Sequence, residues 1–125
     1  MEIFREKARK YFIVGSFSER AGDFDVAATN YFKSLAAVGD YVLSKVGLYA
    51  KNHEERFEML RANFQEIYKI TSSLFLTYRR AYTKDVMKDE VVALKIKLKE
   101  AFKNAGIEIP TDKEVEEHIK KTLKG

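Results

Sequence analysis

One run of apolar residues limits what this 125-residue chain can become. Phe24, Ala28, Tyr31, Leu35, Val38, Val42 and Val46 follow one another at steps of three and four, and Phe32, Ala36 and Leu43 widen the stripe. That spacing matches the 3.6-residue turn of an α-helix and not the two-residue alternation of a strand. So broad a stripe has to be covered from two sides. The segment is therefore expected to be the central helix of a bundle, about 24 residues and roughly 36 Å long. Asp23 is placed to cap its start, and Asp25 lies in the first turn, where a carboxylate complements the positive end of the helix dipole. Gly47 is expected to end it.

The remaining segments read as helices that cover this stripe. The first spans about Glu2 to Ala21, with Phe4, Ala8, Tyr11, Phe12, Gly15 and Phe17 at mixed three- and four-residue steps. Gly15 sits mid-helix, where glycine costs about 1 kcal/mol relative to alanine. It marks either a bend or a close approach of a neighbouring helix, and close packing is the preferred reading. Gly22 is a suitable stop because it tolerates the left-handed conformation. Asn52 followed by Glu55 resembles a capping box for a third helix carrying Phe57, Leu60 and Phe64. Residues 63–65 either break that helix or continue it into a fourth, about Glu66 to Tyr82, with Ile67, Ile70, Thr71, Leu74, Phe75, Tyr78 and Ala81 inward.

Thr83 or Asp85 is expected to cap a fifth helix reaching Lys103, with Met87, Val91, Leu94, Leu98 and Phe102 on its inner face. The stretch Ala93–Lys99 alternates like a strand, but the flanking steps of three and four outweigh that pattern. Gly106 closes the helix. Residues 107–110 are extended ahead of Pro110. Thr111 with Glu114 caps a short last helix with Val115, Ile119 and Leu123 inward. The expected fold is all-α: an antiparallel up-and-down bundle of four or five long helices over residues 1–106, with a linker and short C-terminal helix, 107–125, packed on the same domain.

Composition removes several kinds of chemistry. Without cysteine there is no disulfide, zinc-thiolate site or cysteine nucleophile. No apolar run approaches the roughly 18–20 residues that span a bilayer, and Met1–Lys7 lacks the apolar core of a signal peptide. A soluble, cytoplasmic protein with no membrane partner is the expectation. The net charge of +4 is spread along the chain, which reads as a solvated surface with at most a weak preference for nucleic acid. His53 and His118 lie far apart without a ligand spacing, so neither a metal nor a cofactor is expected. No glycine-rich phosphate loop and no Ser/His/Asp set is present.

Two resemblances rest on the central hairpin. The turn Gly22-Asp23-Phe24 and the following Ala27, Ala28, Tyr31, Ser34 and Leu35 resemble a tetratricopeptide hairpin. An array of such repeats needs about three copies of 34 residues, and no second copy follows. Over a longer stretch, roughly Ala8 to Phe102, the chain resembles the HEPN family of small helical bundles. The resemblance is carried by Ala28, Tyr31, Phe32, Leu35, Asp40, Tyr41 and Leu43, by the Lys45-Val46-Gly47 end of that helix, by the Asn52-His53 loop, and by the later Tyr78-Arg79-Arg80-Ala81-Tyr82. It implies a bundle that works as a homodimer, binds a nucleotide, RNA or a protein partner, and pairs with a nucleotidyltransferase in toxin–antitoxin systems.

Active members of that family resemble one another in an Arg, four to six spacer residues and a His. Here the corresponding positions after Arg79 hold Lys84, Asp85 and Val86, and those after Arg80 hold Asp85, Val86 and Met87. Counting back from His53 gives Val46, Gly47 and Leu48; from His118 it gives Thr111, Asp112 and Lys113. The motif is absent, so the resemblance implies a noncatalytic module, with no catalytic residue to name.

The candidate nucleotide- or phosphate-binding residues are Tyr78, Arg79, Arg80, Tyr82 and Lys84, which combine cations with stacking rings at a helix end, together with His53 and Arg56 near the start of the third helix. The same cations also read as partners of a helix C-terminal dipole, with Tyr78 and Tyr82 in the core. His53 equally reads as a solvated helix start. Two rival functions remain: a divergent, metal-independent ribonuclease using Arg79, Arg80, Tyr82 or His53, and a helical protein-interaction scaffold. Phe17 and Tyr49 supply apolar surface beyond what one small bundle needs, which a homodimer would cover.

Overall fold

The computed structural model describes residues 1–124, with side chains through Thr122. The chain is all-α, and no strand occurs among the described residues. Six helices follow in order: α1 (Glu2–Arg20), α2 (Phe24–Ser44), α3 (His53–Asn63), α4 (Gln65–Arg80), α5 (Lys88–Ala105) and α6 (Asp112–Lys124). Among the described residues no helix is long and apolar enough to cross a membrane.

α2 is the centre, as its stripe predicts. It touches α1, α3, α4 and α5, and Ala28, Tyr31, Phe32, Leu35, Val38 and Leu43 are all at most 1 % exposed. α1 packs closely against it at Gly15. A Cβ built there would stand 2.5 Å from Cδ1 and 2.6 Å from Cε1 of Tyr31, so the mid-helix glycine serves close packing and not a bend. Polar groups caught in this contact are paired. The Tyr31 hydroxyl donates to Glu19 Oε1 at 2.7 Å and shares a 3.0 Å hydrogen bond with Ser16 Oγ. Ser34 Oγ donates to the Ala8 carbonyl at 2.6 Å. α5 closes the remaining side with Val91, Leu94, Leu98 and Phe102.

The ends of the helices follow local chemistry, with four departures. Gly22, at φ 81°, turns the chain out of α1, and the Asp23 N–H closes the turn on the Ser18 carbonyl at 2.9 Å. Asp23 holds the N-cap position of α2, but its side chain makes no capping hydrogen bond. Asp25 lies in the first turn as expected, and its Oδ1 also accepts from the Val86 N–H at 2.9 Å, 61 residues away.

At the far end α2 stops at Ser44, short of Val46, which is 55 % exposed. Gly47 takes φ 76°, and the Leu48 N–H bonds back to the Leu43 carbonyl at 3.0 Å. Leu48 thereby packs on the core in the manner of a helix-ending hydrophobic contact, which leaves Val46 outside. The third departure is the start of α5. Neither Thr83 nor Asp85 caps it; Met87 does so by position, with its N–H donating to Glu90 Oε1 at 3.1 Å. Val86, anchored by Asp25, is buried in place of Met87, which is 62 % exposed.

The open question at residues 63–65 resolves as a break: Phe64 leaves the helical region at φ −141°, ψ 76° between α3 and α4. The fourth departure is at Tyr82, which is 65 % exposed and not in the core.

α6 begins at the Thr111–Glu114 capping box, with Glu114 N–H to Thr111 Oγ1 at 3.1 Å and Thr111 N–H to Glu114 Oε1 at 3.3 Å. It lies on α1, held by the bidentate Arg9–Glu114 pair at 2.7 and 2.9 Å and by buried Val115. Leu123, expected to face inward, lies outside the residues whose side chains are described.

Candidate functional site

Four helices meet around one open cavity of about 280 Å³. α1 lends Lys7 and Tyr11, which share a face because they are one turn apart. α2 lends Phe32, Lys33 and Asp40, with Ala36 and Ala37 between them as a floor of small residues. His53, the first residue of α3, and Tyr78, in the last turn of α4, complete the wall.

Behind the wall runs a hydrogen-bonded chain. Arg56 donates from Nε to Asp40 Oδ1 at 2.9 Å and from Nη2 to Asp40 Oδ2 at 3.2 Å. Its Nη1 lies 2.7 Å from His53 Nδ1. A guanidinium only donates, so His53 Nδ1 is the acceptor, and the ring is neutral with its proton on Nε2. The side chains of Arg56 and Asp40 are only 13 % and 18 % exposed. The pairing is therefore sheltered from solvent and largely cancels the one carboxylate in the cavity. Lys7 and Lys33 remain, and the wall carries net positive charge. Lys33 Nζ stands 5.9 Å from the centroid of the Tyr11 ring.

The rings form one cluster. His53 sits edge-on at 5.9 Å from each of Phe32, Phe75 and Tyr78. Tyr78 stacks on Phe32 at 4.3 Å, and its hydroxyl shares a 3.0 Å hydrogen bond with that of Tyr82. Burial, with help from the Tyr82 hydroxyl, pushes the Tyr78 phenol up to about 12, so it remains a neutral hydrogen-bonding group.

Burial first and the Arg56 charge second hold His53 below its ordinary value, while Asp40 acts in the opposite sense. The consequence for stability has a definite sign. A histidine depressed in the folded state contributes its stability fully above the unfolded value of about 6.5, and that contribution is lost as pH falls through the folded value. Denaturant midpoints measured from neutral to acid pH should therefore fall more steeply for the wild type than for His53→Asn, whose amide oxygen can still accept from Arg56. Parallel curves for the two proteins would show that His53 takes up its proton without cost.

Of the residues singled out from sequence, the cavity gathers His53 and Tyr78, with Arg56 behind them and Tyr82 attached through its hydroxyl. Three others stand apart. Arg80 is paired with Glu90 of α5. Arg79 is exposed, its guanidinium 6.0 Å from the Phe75 ring centroid. Lys84 is exposed in the connection to α5 and does not line the cavity. Four residues were not foreseen: Lys7, Tyr11, Lys33 and Asp40. Asp40 alone left a signal, since a carboxylate set among Val38, Val42 and Leu43 calls for a sheltered partner.

A larger cavity, about 380 Å³, opens at the α1–α2 turn. Its walls include Asp23, Asp25 and Asp85 and no cation, so it is unsuited to an anion. Among the described residues no group of three or more His, Asp or Glu side chains is placed to hold a metal ion. The His53 cavity offers two ammonium groups for an anion, aromatic surface for a planar ring, and one imidazole N–H donor. Comparison with protein-family models, with curated proteins and with solved structures gives no match to any of them.

Proposed function

We propose that this chain is a noncatalytic binding module of HEPN-like type, an antiparallel up-and-down bundle that takes a nucleotide or a short stretch of RNA in the His53 cavity. The observation that carries this reading is the joint presence of Lys7 and Lys33 with the Tyr11 and Tyr78 rings around one opening. Cations positioned for a phosphate beside rings that can stack a base are what single-stranded nucleic acid and nucleotides require. Turnover is the weaker alternative, because the arginine that touches His53 is committed to Asp40.

The resemblance further implies a homodimer in the cytoplasm and a nucleotidyltransferase partner. Exposed Ile3, Val46 and Tyr49 supply apolar surface for such contacts. Light scattering that finds a monomer at high concentration would remove the dimer from this reading.

The binding reading is tested by titrating the protein with nucleotides and with short single-stranded RNA across a salt series. Affinity should fall with salt. The double variant Lys7→Glu/Lys33→Glu changes only exposed charges, and it should weaken binding by about tenfold or more and flatten the logarithmic salt slope by about one. Failure of the wild type to retain any of these ligands at low salt would leave the protein-interaction scaffold as the better account.

A further inference from the structure

We propose that His53 is a proton-linked gate of this cavity: binding of a phosphodiester draws a proton onto its Nδ1, so the site tightens on its ligand as pH falls. The proposal rests on the ligand reading above and adds the regulation of the same site.

The geometry leaves Nδ1 two incompatible states. As an acceptor it holds Arg56 Nη1 at 2.7 Å. Once it carries a proton from solvent, two donors and two positive charges face each other at that distance, and the contact cannot persist. Arg56 has reason to stay where it is, since Asp40 holds it by two hydrogen bonds at 2.9 and 3.2 Å. The imidazolium is therefore the group that turns away, and the open side of its position is the cavity that it already lines.

Every neighbouring element bears on this balance. From α1, Lys7 opposes a new cation in the wall, and from α2, Lys33 does the same while Asp40 favours it. From α3, Arg56 opposes it. From α4, Tyr78 contributes a neutral phenol and packs with Phe75 against the ring, with Arg79 on the outer side of Phe75. In the free protein burial first and the Arg56 charge second outweigh Asp40 and hold His53 below its ordinary value. A phosphodiester held by Lys7 and Lys33 reverses the local sign and makes the imidazolium a third partner of the anion. Linkage is reciprocal, so a ligand that raises the proton affinity of His53 is itself bound more tightly where that proton is available.

The test separates this gate from the binding reading by using one probe and two readouts. The probe is the dinucleoside monophosphate UpU, whose single phosphodiester charge is constant over the range of about pH 5.5 to 8 in which histidine titrates. Calorimetry in two buffers of different ionisation enthalpy gives affinity and proton uptake together. The expected result is uptake of up to one proton and an affinity that rises by as much as about tenfold per pH unit toward acid, with both effects lost in His53→Asn. Binding of UpU with the same pH profile in wild type and His53→Asn would overturn the gate and leave the binding reading intact.

Long-range ¹H–¹⁵N spectra of the ring, without ligand, supply the second readout. They should show the Nε2–H tautomer at neutral pH and loss of the Arg56 side-chain contact on acidification, with His53→Asn identifying the resonances. An imidazole that protonates while the Arg56 contact persists would overturn the gate whether or not UpU binds, whereas failure of UpU to bind at any pH would overturn the binding reading and the gate with it.

Discussion

Replacing Phe12 with alanine is expected to lower the unfolding free energy by about 4 kcal/mol, the middle of the range for deleting a buried aromatic ring. Phe12 is 2 % exposed. Its ring lies 5.7 Å from that of Tyr31 on α2 and 5.5 Å from that of Phe102 on α5, so one side chain joins three helices. Lys95 Nζ sits 5.6 Å from the same ring. Collapse into the vacated space would have to move rings that are themselves fixed: Tyr31 by its hydrogen bonds to Glu19 and Ser16, and Phe102 by full burial. The loss therefore includes the lost burial and most of the cavity term. Guanidinium denaturation reads it directly, and the melting temperature should drop by roughly 15 °C for a chain of this size. A loss under about 1.5 kcal/mol would mean that α1 re-seats on its neighbours, contrary to the packing described here. α1 also carries Lys7 and Tyr11 to the cavity, so a shifted α1 should weaken ligand binding even where the protein remains folded.

The second large effect is at Gly15, where two general rules point in opposite directions. Mid-helix glycine to alanine ordinarily gains about 1 kcal/mol through helix propensity. Here the added carbon falls 2.5 Å from Tyr31 Cδ1, inside any tolerable contact. The obstacle is a buried ring, tied at its hydroxyl and backed by Phe12, and not the free end of a flexible chain. Overpacking of this kind costs about 1–3 kcal/mol for one carbon, so Gly15→Ala should be destabilising by up to about 2 kcal/mol after the propensity gain. Gly15→Val adds two further carbons and loses the propensity gain. It should cost about 3 kcal/mol or more, read by the same denaturation curves. The sign of the alanine variant is the sharper result: stabilisation by Gly15→Ala would show that α1 and α2 are free to separate at this level.

Both residues are identifiable from the sequence, and the reason is their place in a local pattern. Phe12 belongs to the periodic face of α1. Gly15 was conspicuous as a residue unfavourable to its own helix. The same logic located the turn at Gly22, the ends of α3 and α6 at Asn52 and Thr111, and the closure of α5 at Gly106, all of which depend on groups a few residues apart. It failed where distant contacts compete with local preference. Val46 continues the three-four spacing of α2, but Leu48 takes the core position once Gly47 turns the chain. Met87 continues the spacing of α5, but the bond from Val86 N–H to Asp25 sets the register by which Val86 goes inward.

The candidate site was legible only in pieces. Tyr78 and His53 stood out as aromatic and titratable groups near helix ends. Arg79, Arg80 and Lys84 appeared to belong with them because they are adjacent in sequence. Residues two apart on a helix point about 200° apart, so Arg80 is turned to Glu90 on α5 while Tyr78 faces Phe32 on α2. Conversely, Lys7, Lys33 and Asp40 are far from His53 along the chain and share no motif with it.

The sequence by itself determined that the chain is all-α, where most helices begin and end, and which helix is central, because helix propensity, capping and periodic burial act over one or two turns. It also excluded the arginine–histidine spacing of the ribonuclease motif and every chemistry that needs cysteine. Only the tertiary structure decided that Arg56 joins Asp40 to His53, that Lys7 and Lys33 stand beside Tyr11 and Tyr78, and that Arg80 is occupied elsewhere. Those relations depend on how four helices are rotated about their axes against one another. That rotation is set by contacts such as Gly15 on Tyr31 and Phe12 on Phe102, which no short stretch of sequence contains.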